Sequence, residues 1–288
     1  DRVRELADHF VEAAPLGERD RAVQYSLEAA ETAIRSLEYE AASGRAARAL
    51  ELASSAAERG ALLLVIGRAG IDGGDSHEAH QAFLDAAEAA RDAADPLLFA
   101  RAALGATRGF RGGSEWMPEA SGRELLAEAL GGLDRLDAVP DLGEADVLLR
   151  VEVLGRLALW TTDPEQRQAS ARLAMDEAER VGADTALIAA YGASRIVHWR
   201  PEHTDRRVAF ADRVVRAARH DPRFAAQVRF GRLGDLLQRG ERAEVETELD
   251  ALESDPVVRR SQRARWSTAV WRTVMAVVDG RLDDVEPL

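Results

Sequence analysis

Two residue pairs in this chain have the chemistry to hold an anion. Arg156 and Trp160 stand four apart, and Arg195 and Trp199 repeat the pair 39 residues later. Residues four apart share one face of a helix. Arginine presents a planar fork of donors that fits carboxylate or phosphate with two hydrogen bonds. Tryptophan offers a flat apolar face that stacks on rings or cations. The same spacing also fits a core reading, in which the indole packs between helices and the arginine stem lies along it.

Other reactive types are sparse. His77 and His80 sit three apart at a predicted helix start, a spacing metal ligands use, but no third ligand stands nearby. His198 and His203 flank a turn at Arg200-Pro201, and His220 precedes Asp221-Pro222. These three read as turn and capping residues. Asp283-Asp284 reads as a solvated helix start that favours the helix dipole. The chain has no cysteine and no Gly-x-Ser-x-Gly elbow. All 38 of its basic residues are arginine, so a phosphate loop with its lysine is excluded. No catalytic group, metal or cofactor is therefore expected, and the chemistry on offer is binding.

The elements that position these residues must be helices. Of 288 residues, 46% are hydrophobic but only 5% aromatic, and alanine, the best helix former, is abundant. Runs of β-branched residues are nearly absent. The net charge of −13 argues against nucleic-acid binding, which needs a basic excess. No apolar run approaches the roughly 20 residues that span a bilayer. A cytoplasmic location and no membrane contact are expected. The chain opens inside an amphipathic pattern (Val3, Leu6, Ala7, Phe10, Val11) and closes on Asp283–Leu288 where another helix is due. It reads as a fragment of a longer protein.

The clearest unit runs from Ala61 to Ala94. Gly67 marks a close helix crossing, and Gly74 ends the first helix. Ala79 follows Gly67 by twelve residues, then Phe83 by four more and Ala86 by three. Leu104-Gly105, Leu154-Gly155 and Ala193-Ser194 repeat the first-helix frame. Gly240 and Gly280 mark first-helix ends 40 residues apart. Ala30, with Ala42, Ala46 and Ala49, keeps the same register upstream. About six and a half helix pairs result, and each must stack on its neighbours to bury its apolar face. The spacing resembles the tetratricopeptide repeat. The predicted fold is all-α, a tetratricopeptide-like superhelical stack of antiparallel helix pairs. It reads as N-terminal repeats over 1–110 and C-terminal repeats over 111–288 in one solenoid. A non-repeating helical bundle is the alternative. The long loop near residues 109–121, with Gly112, Gly113, Trp116 and Pro118, is where the stack would bend. Trp116 reads equally as a lid over the groove or a cap on its own loop.

The resemblance extends further. Ala7-Asp8-His9-Phe10, Ala14-Pro15-Leu16-Gly17, Asp20 to Tyr25, and Leu37 to Ala42 are similar to the start of the C-terminal helical region of LuxR- and MalT-like ATP-binding transcriptional regulators. Gly234 to Gly240, and Arg265-Trp266 through Gly280-Arg281-Leu282, resemble the same region. The resemblance implies a parent with an N-terminal signal-transduction ATPase and often a C-terminal helix-turn-helix, of which this chain is the middle part. In the tetratricopeptide frame, Arg156 and Trp160, Arg195 and Trp199, and Arg68 and Asp72 take the positions that line the inner concave surface. Trp266 and Trp271, five apart, fall on different faces, with at least one in the core.

Two functions fit. One is a ligand- or partner-sensing region that passes effector binding to an attached ATPase; its effector would be an anionic small molecule or an acidic peptide. The other is a constitutive protein-binding or oligomerisation scaffold, with a homo-oligomer as one outcome. An inner groove lined by the arginines favours the first, and an exposed outer apolar patch favours the second.

Overall fold

The computed structural model describes residues 2–74, 76–108, 119–136, 144–182 and 184–284. Among them the chain is all helix and turn. The helices are α1 (Arg2–Ala13), α2 (Arg19–Arg35), α3 (Tyr39–Leu50), α4 (Ala56–Gly73), α5 (Ser76–Asp92) and α6 (Pro96–Ala106). Next come α7 (Glu119–Leu136), α8 (Glu144–Trp160), α9 (Pro164–Val181), α10 (Asp184–Ala189) and α11 (Tyr191–Val197). The last are α12 (Thr204–Ala217), α13 (Pro222–Gln238), α14 (Arg242–Ser254), α15 (Pro256–Arg260) and α16 (Gln262–Val278). Trp116 and the 110/111 division lie outside the described residues, as do the loop glycines Gly112 and Gly113 and the loop Pro118.

Helix starts are written in the sequence. Ser55 and Glu58 form a capping box on α4. The dipeptide Asp-Pro recurs at Asp95, Asp163, Asp221 and Asp255, opening α6, α9, α13 and α15. Each aspartate accepts a first-turn N–H, and each proline sits where a donor would be wasted. Gly74 closes α4 with φ 98°, a conformation most side chains avoid.

The pairs stack in two layers. The first helices, α2, α4, α6, α8 and the α10–α11 pair, pack against one another in turn along one layer. The second helices, α3, α5, α7, α9 and α12, each pack on their own partner. Small residues set the spacing. A Cβ at Gly67 would come within 2.8 Å of the Phe83 ring. Gly105 meets the same ring from the next repeat. Phe83 is thus a knob gripped by two glycines, flanked by buried Ala79 and Ala86. Gly155 in turn lets α8 approach Ala193 of α11, 3.5 Å from where its Cβ would stand. Upstream, Ala30, Ala42, Ala46 and Ala49 are all fully buried. Near the other end Trp271 packs against the last core cluster, whereas Trp266 is 60% exposed.

The stack curves until its ends meet. Arg223, at the start of α13, donates to Asp72 near the end of α4 at 2.7 Å, across 151 residues of sequence. The guanidinium of Arg223 also lies over the Tyr39 ring. The first turn of α16 reaches the same place, with the Gln262 side chain against Gly74. The first-helix layer therefore curves around a partly open space.

Candidate functional site

That space is a cavity of about 830 Å³, walled chiefly by the first helices. Arg68, Arg156, Arg195 and Trp199 all line it, and Arg101, Arg108 and Arg167 join them. Six arginines thus face one partly open volume, against two carboxylates, Glu152 and Asp221. Asp221 is already engaged, accepting from the Phe224 N–H as the cap of α13. In a chain of net charge −13 this is a local inversion of sign. Low-dielectric walls focus such a field onto whatever enters.

The arginines differ in how they are held. Arg68 donates to Glu31 at 2.6 Å. Arg195 donates to Asp235 at 2.8 Å. Burial works against the charge of Arg195, but Tyr191 and Asp235 outweigh it and raise the group above its ordinary value. Arg167 donates to the Thr161 carbonyl. Among the described residues Arg156 donates to backbone oxygens, the carbonyls of Thr107 at 2.8 Å and Leu104 at 3.4 Å. Desolvation and repulsion from Arg108 pull Arg156 down to about 10, in spite of Glu152. The Glu152 carboxyl is pushed up by its own burial, which Arg156, Arg108 and Arg101 oppose.

A second network braces the Arg195 wall. Asp235, 1% exposed, accepts from Arg195 and also from Arg207 at 2.7 Å. Arg207 donates onward to the carbonyls of His198 at 2.7 Å and Arg200 at 3.0 Å. This buried pair holds the segment that carries Trp199. The first helix is broken at Ala190, and Trp199 lies two residues past the end of α11. Freed from the helix, it stays 62% exposed at the cavity.

The other two expected groove residues sit elsewhere. Trp160 is 3% exposed, and its indole N–H donates to the Thr107 carbonyl at 3.1 Å. Gly122 of α7 leaves room for its ring. The core reading of the Arg–Trp pair therefore describes Trp160, while Arg156, four residues earlier, reaches the cavity. Asp72 faces the closure, bound to Arg223. Arg101 and Arg108 escaped the sequence reading, although they stand four before and three after Gly105, one turn away on either side. Tyr191 and Phe224, which line the wall beside Arg195, carry no motif of their own.

His80 is buried, and desolvation lowers its pKa. No cluster of three metal-ligating residues occurs among the described residues. The rings of His198 and His203 meet edge to face, 5.7 Å apart. No helix among the described residues is long and apolar enough to cross a membrane.

No family model matches this chain, and no curated protein sequence matches it. Its fold is similar to the crystal structure of Rap protein complexed with competence and sporulation factor. The two share 11% sequence identity at a TM-score of 0.51, over 93% of this chain and 77% of that one. At that identity the likeness establishes the fold, a tetratricopeptide-like helical repeat. The kinship with LuxR- and MalT-like regulators, drawn from the sequence, is a proposal.

Proposed function

We propose that this chain is a non-enzymatic effector-binding module whose partly open cavity captures an anionic ligand. The observation that carries this reading is the convergence of six arginines and Trp199 on one cavity. The volume lies in the range of about 300–1,000 Å³ typical of small-ligand sites. The wall also supplies both halves of anion recognition: guanidinium forks for charge and the Trp199, Tyr191 and Phe224 rings for the ligand body. Binding that favours one curvature of the stack would pass to an attached domain as a shift in population. In the LuxR- and MalT-like setting, that domain would be an ATPase with a DNA-binding output outside this chain. A Rap protein complexed with competence and sporulation factor on a similar fold is compatible with this reading.

The test is thermal stability against a panel of metabolite anions and acidic peptides, because a ligand of the native state raises the midpoint. Hits should vanish in Arg156→Ala and Trp199→Ala. A panel without hits would remove the sensor reading.

One observation favours the scaffold reading. Trp266, Val270 and Val277 fall on one stripe of α16, and all are exposed. Sedimentation across a concentration series separates the two. A concentration-dependent oligomer lost in Trp266→Glu, with no anion bound, favours the scaffold.

A further inference from the structure

The cavity sorts its charges and its rings onto different walls. Going round the space, α4 packs on α6, α6 on α8 and α8 on α11. Arg195 ties α11 to Asp235 of α13 at 2.8 Å, and Arg223 of α13 closes onto Asp72 of α4. So α6 has α4 on one side and α8 on the other, and α11 and α13 stand across the space from it. The face that α6 turns to the cavity carries Arg101, Leu104, Gly105 and Arg108. Offsets of three, four and seven residues share one helix face. Arg156 of α8 docks on that same face, because its guanidinium donates to the carbonyls of Leu104 at 3.4 Å and Thr107 at 2.8 Å. Arg108 and Arg156 thus share the last turn of α6. Arg68 and Arg195, elsewhere on the wall, are already bound to Glu31 and Asp235. The charge open to a ligand is therefore greatest on the α6–α8 wall.

Across the space the lining is aromatic. Tyr191 of α11 and Phe224 of α13 meet edge to face, 6.2 Å apart. The Tyr191 hydroxyl donates to the Val228 carbonyl at 3.4 Å, so the ring is what this residue offers. Trp199 is 62% exposed beside them, with Ile188 and Ile196 between. A small hydrophilic anion held at α6 leaves that apolar wall in water. A ligand with an apolar body covers it, and removing apolar surface from water is favourable. Gly155 and Gly192 line the cavity between the two walls and leave room for a flat body.

We propose that the ligand is an aromatic acid, its anionic group held by Arg108 and Arg156 and its ring system laid against Tyr191, Phe224 and Trp199. This assignment rests on the reading of the cavity as an anion site and adds the class of the ligand and its orientation. Calorimetric titration at matched ionic strength tests it with four probes: 2-naphthoate, neutral 2-naphthamide, the saturated decahydro-2-naphthoate, and inorganic pyrophosphate. 2-Naphthoate should bind, and 2-naphthamide and pyrophosphate should bind at least about tenfold more weakly, the loss of a charged hydrogen bond in the first case. The saturated acid should be about two- to tenfold weaker, because it lacks ring-to-ring contact. The preference for 2-naphthoate over 2-naphthamide should collapse in Arg108→Ala. It should persist in Phe224→Leu, whose affinity for both falls about two- to tenfold. Urea midpoints check that each variant folds. If Phe224→Leu does not, exposed Trp199→Leu reads the same wall. Pyrophosphate or the saturated acid binding as tightly as 2-naphthoate overturns the aromatic acid and leaves the anion site standing. A preference that survives Arg108→Ala, or an unaltered affinity in the ring variant, overturns the orientation. Equal binding of 2-naphthamide, or binding of no probe, overturns both readings.

Discussion

Arginine plays opposite parts on the two sides of this stack. On the outside, Arg272 of α16 reaches Glu246, Asp250 and Glu253 of α14. Arg91 reaches Glu128 with two parallel bonds of 2.8 Å. Hydrogen bonding to Glu253 leads the effects that raise Arg272 above its ordinary value. Inside, Arg156 meets carbonyl oxygens and other arginines, and it falls to about 10. The residue type is the same, so environment alone separates a stabilising ion pair from a cation held by carbonyl oxygens. Outer arginines bind helices to helices. Of the inner arginines, Arg68 and Arg195 keep carboxylate partners, whereas Arg156 is held by carbonyl oxygens and loses to desolvation.

The contrast can be broken most forcibly at the brace between the two regions. Asp235→Ala leaves buried Arg207 without its counter-charge. It should cost about 3–5 kcal/mol, read from urea unfolding. A loss under about 1 kcal/mol would mean that the buried pair does not organise the Arg195 wall. Next in size is the glycine grip. Gly105→Ala drives a methyl into the Phe83 ring and should cost about 1–3 kcal/mol. Gly44→Ala on α3 points into open space and should stabilise by up to about 1 kcal/mol. Equal effects at the two positions would contradict the packing described for the repeat.

The outer surface should give the smallest effects. Arg272→Ala should cost no more than about 1 kcal/mol, because its acidic partners are partly exposed, and should leave ligand binding unchanged. Its partner supplies a pH test. The Arg272 hydrogen bond holds Glu253 below its ordinary 4.5, against some desolvation. A depressed carboxyl contributes stability that is full above 4.5 and fades as pH falls through the folded value. Acid titration of stability should therefore be flatter in Arg272→Ala. An unchanged acid limb would show that the pair contributes nothing.

Much of the frame was legible in the sequence because glycine and alanine spacing is a direct record of helix contact. Gly67, Phe83, Ala79 and Ala86 meet as their spacing requires. The inner position of Arg68, Arg156 and Arg195 also followed from register. Trp160 did not, because its burial depends on Gly122 and the Thr107 carbonyl, contributed by other repeats. The closure was invisible for a similar reason. Asp72 and Arg223 are 151 residues apart, and their meeting depends on curvature summed over several repeats. Arg101, Arg108 and Arg195 share one cavity only through that curvature. The irregularity at Ala190 has no proline to announce it, whereas the end of α11 at Val197, beyond which Trp199 lies, comes just before Pro201.

The most direct test is pyrophosphate titration of the parent chain and of Arg101→Ala/Arg108→Ala by calorimetry, with urea unfolding alongside. Neither arginine has a carboxylate partner among the described residues, so their removal isolates ligand capture from folding. The cavity account predicts an affinity at least about tenfold weaker with an unchanged unfolding midpoint. Undiminished affinity in the variant would contradict it.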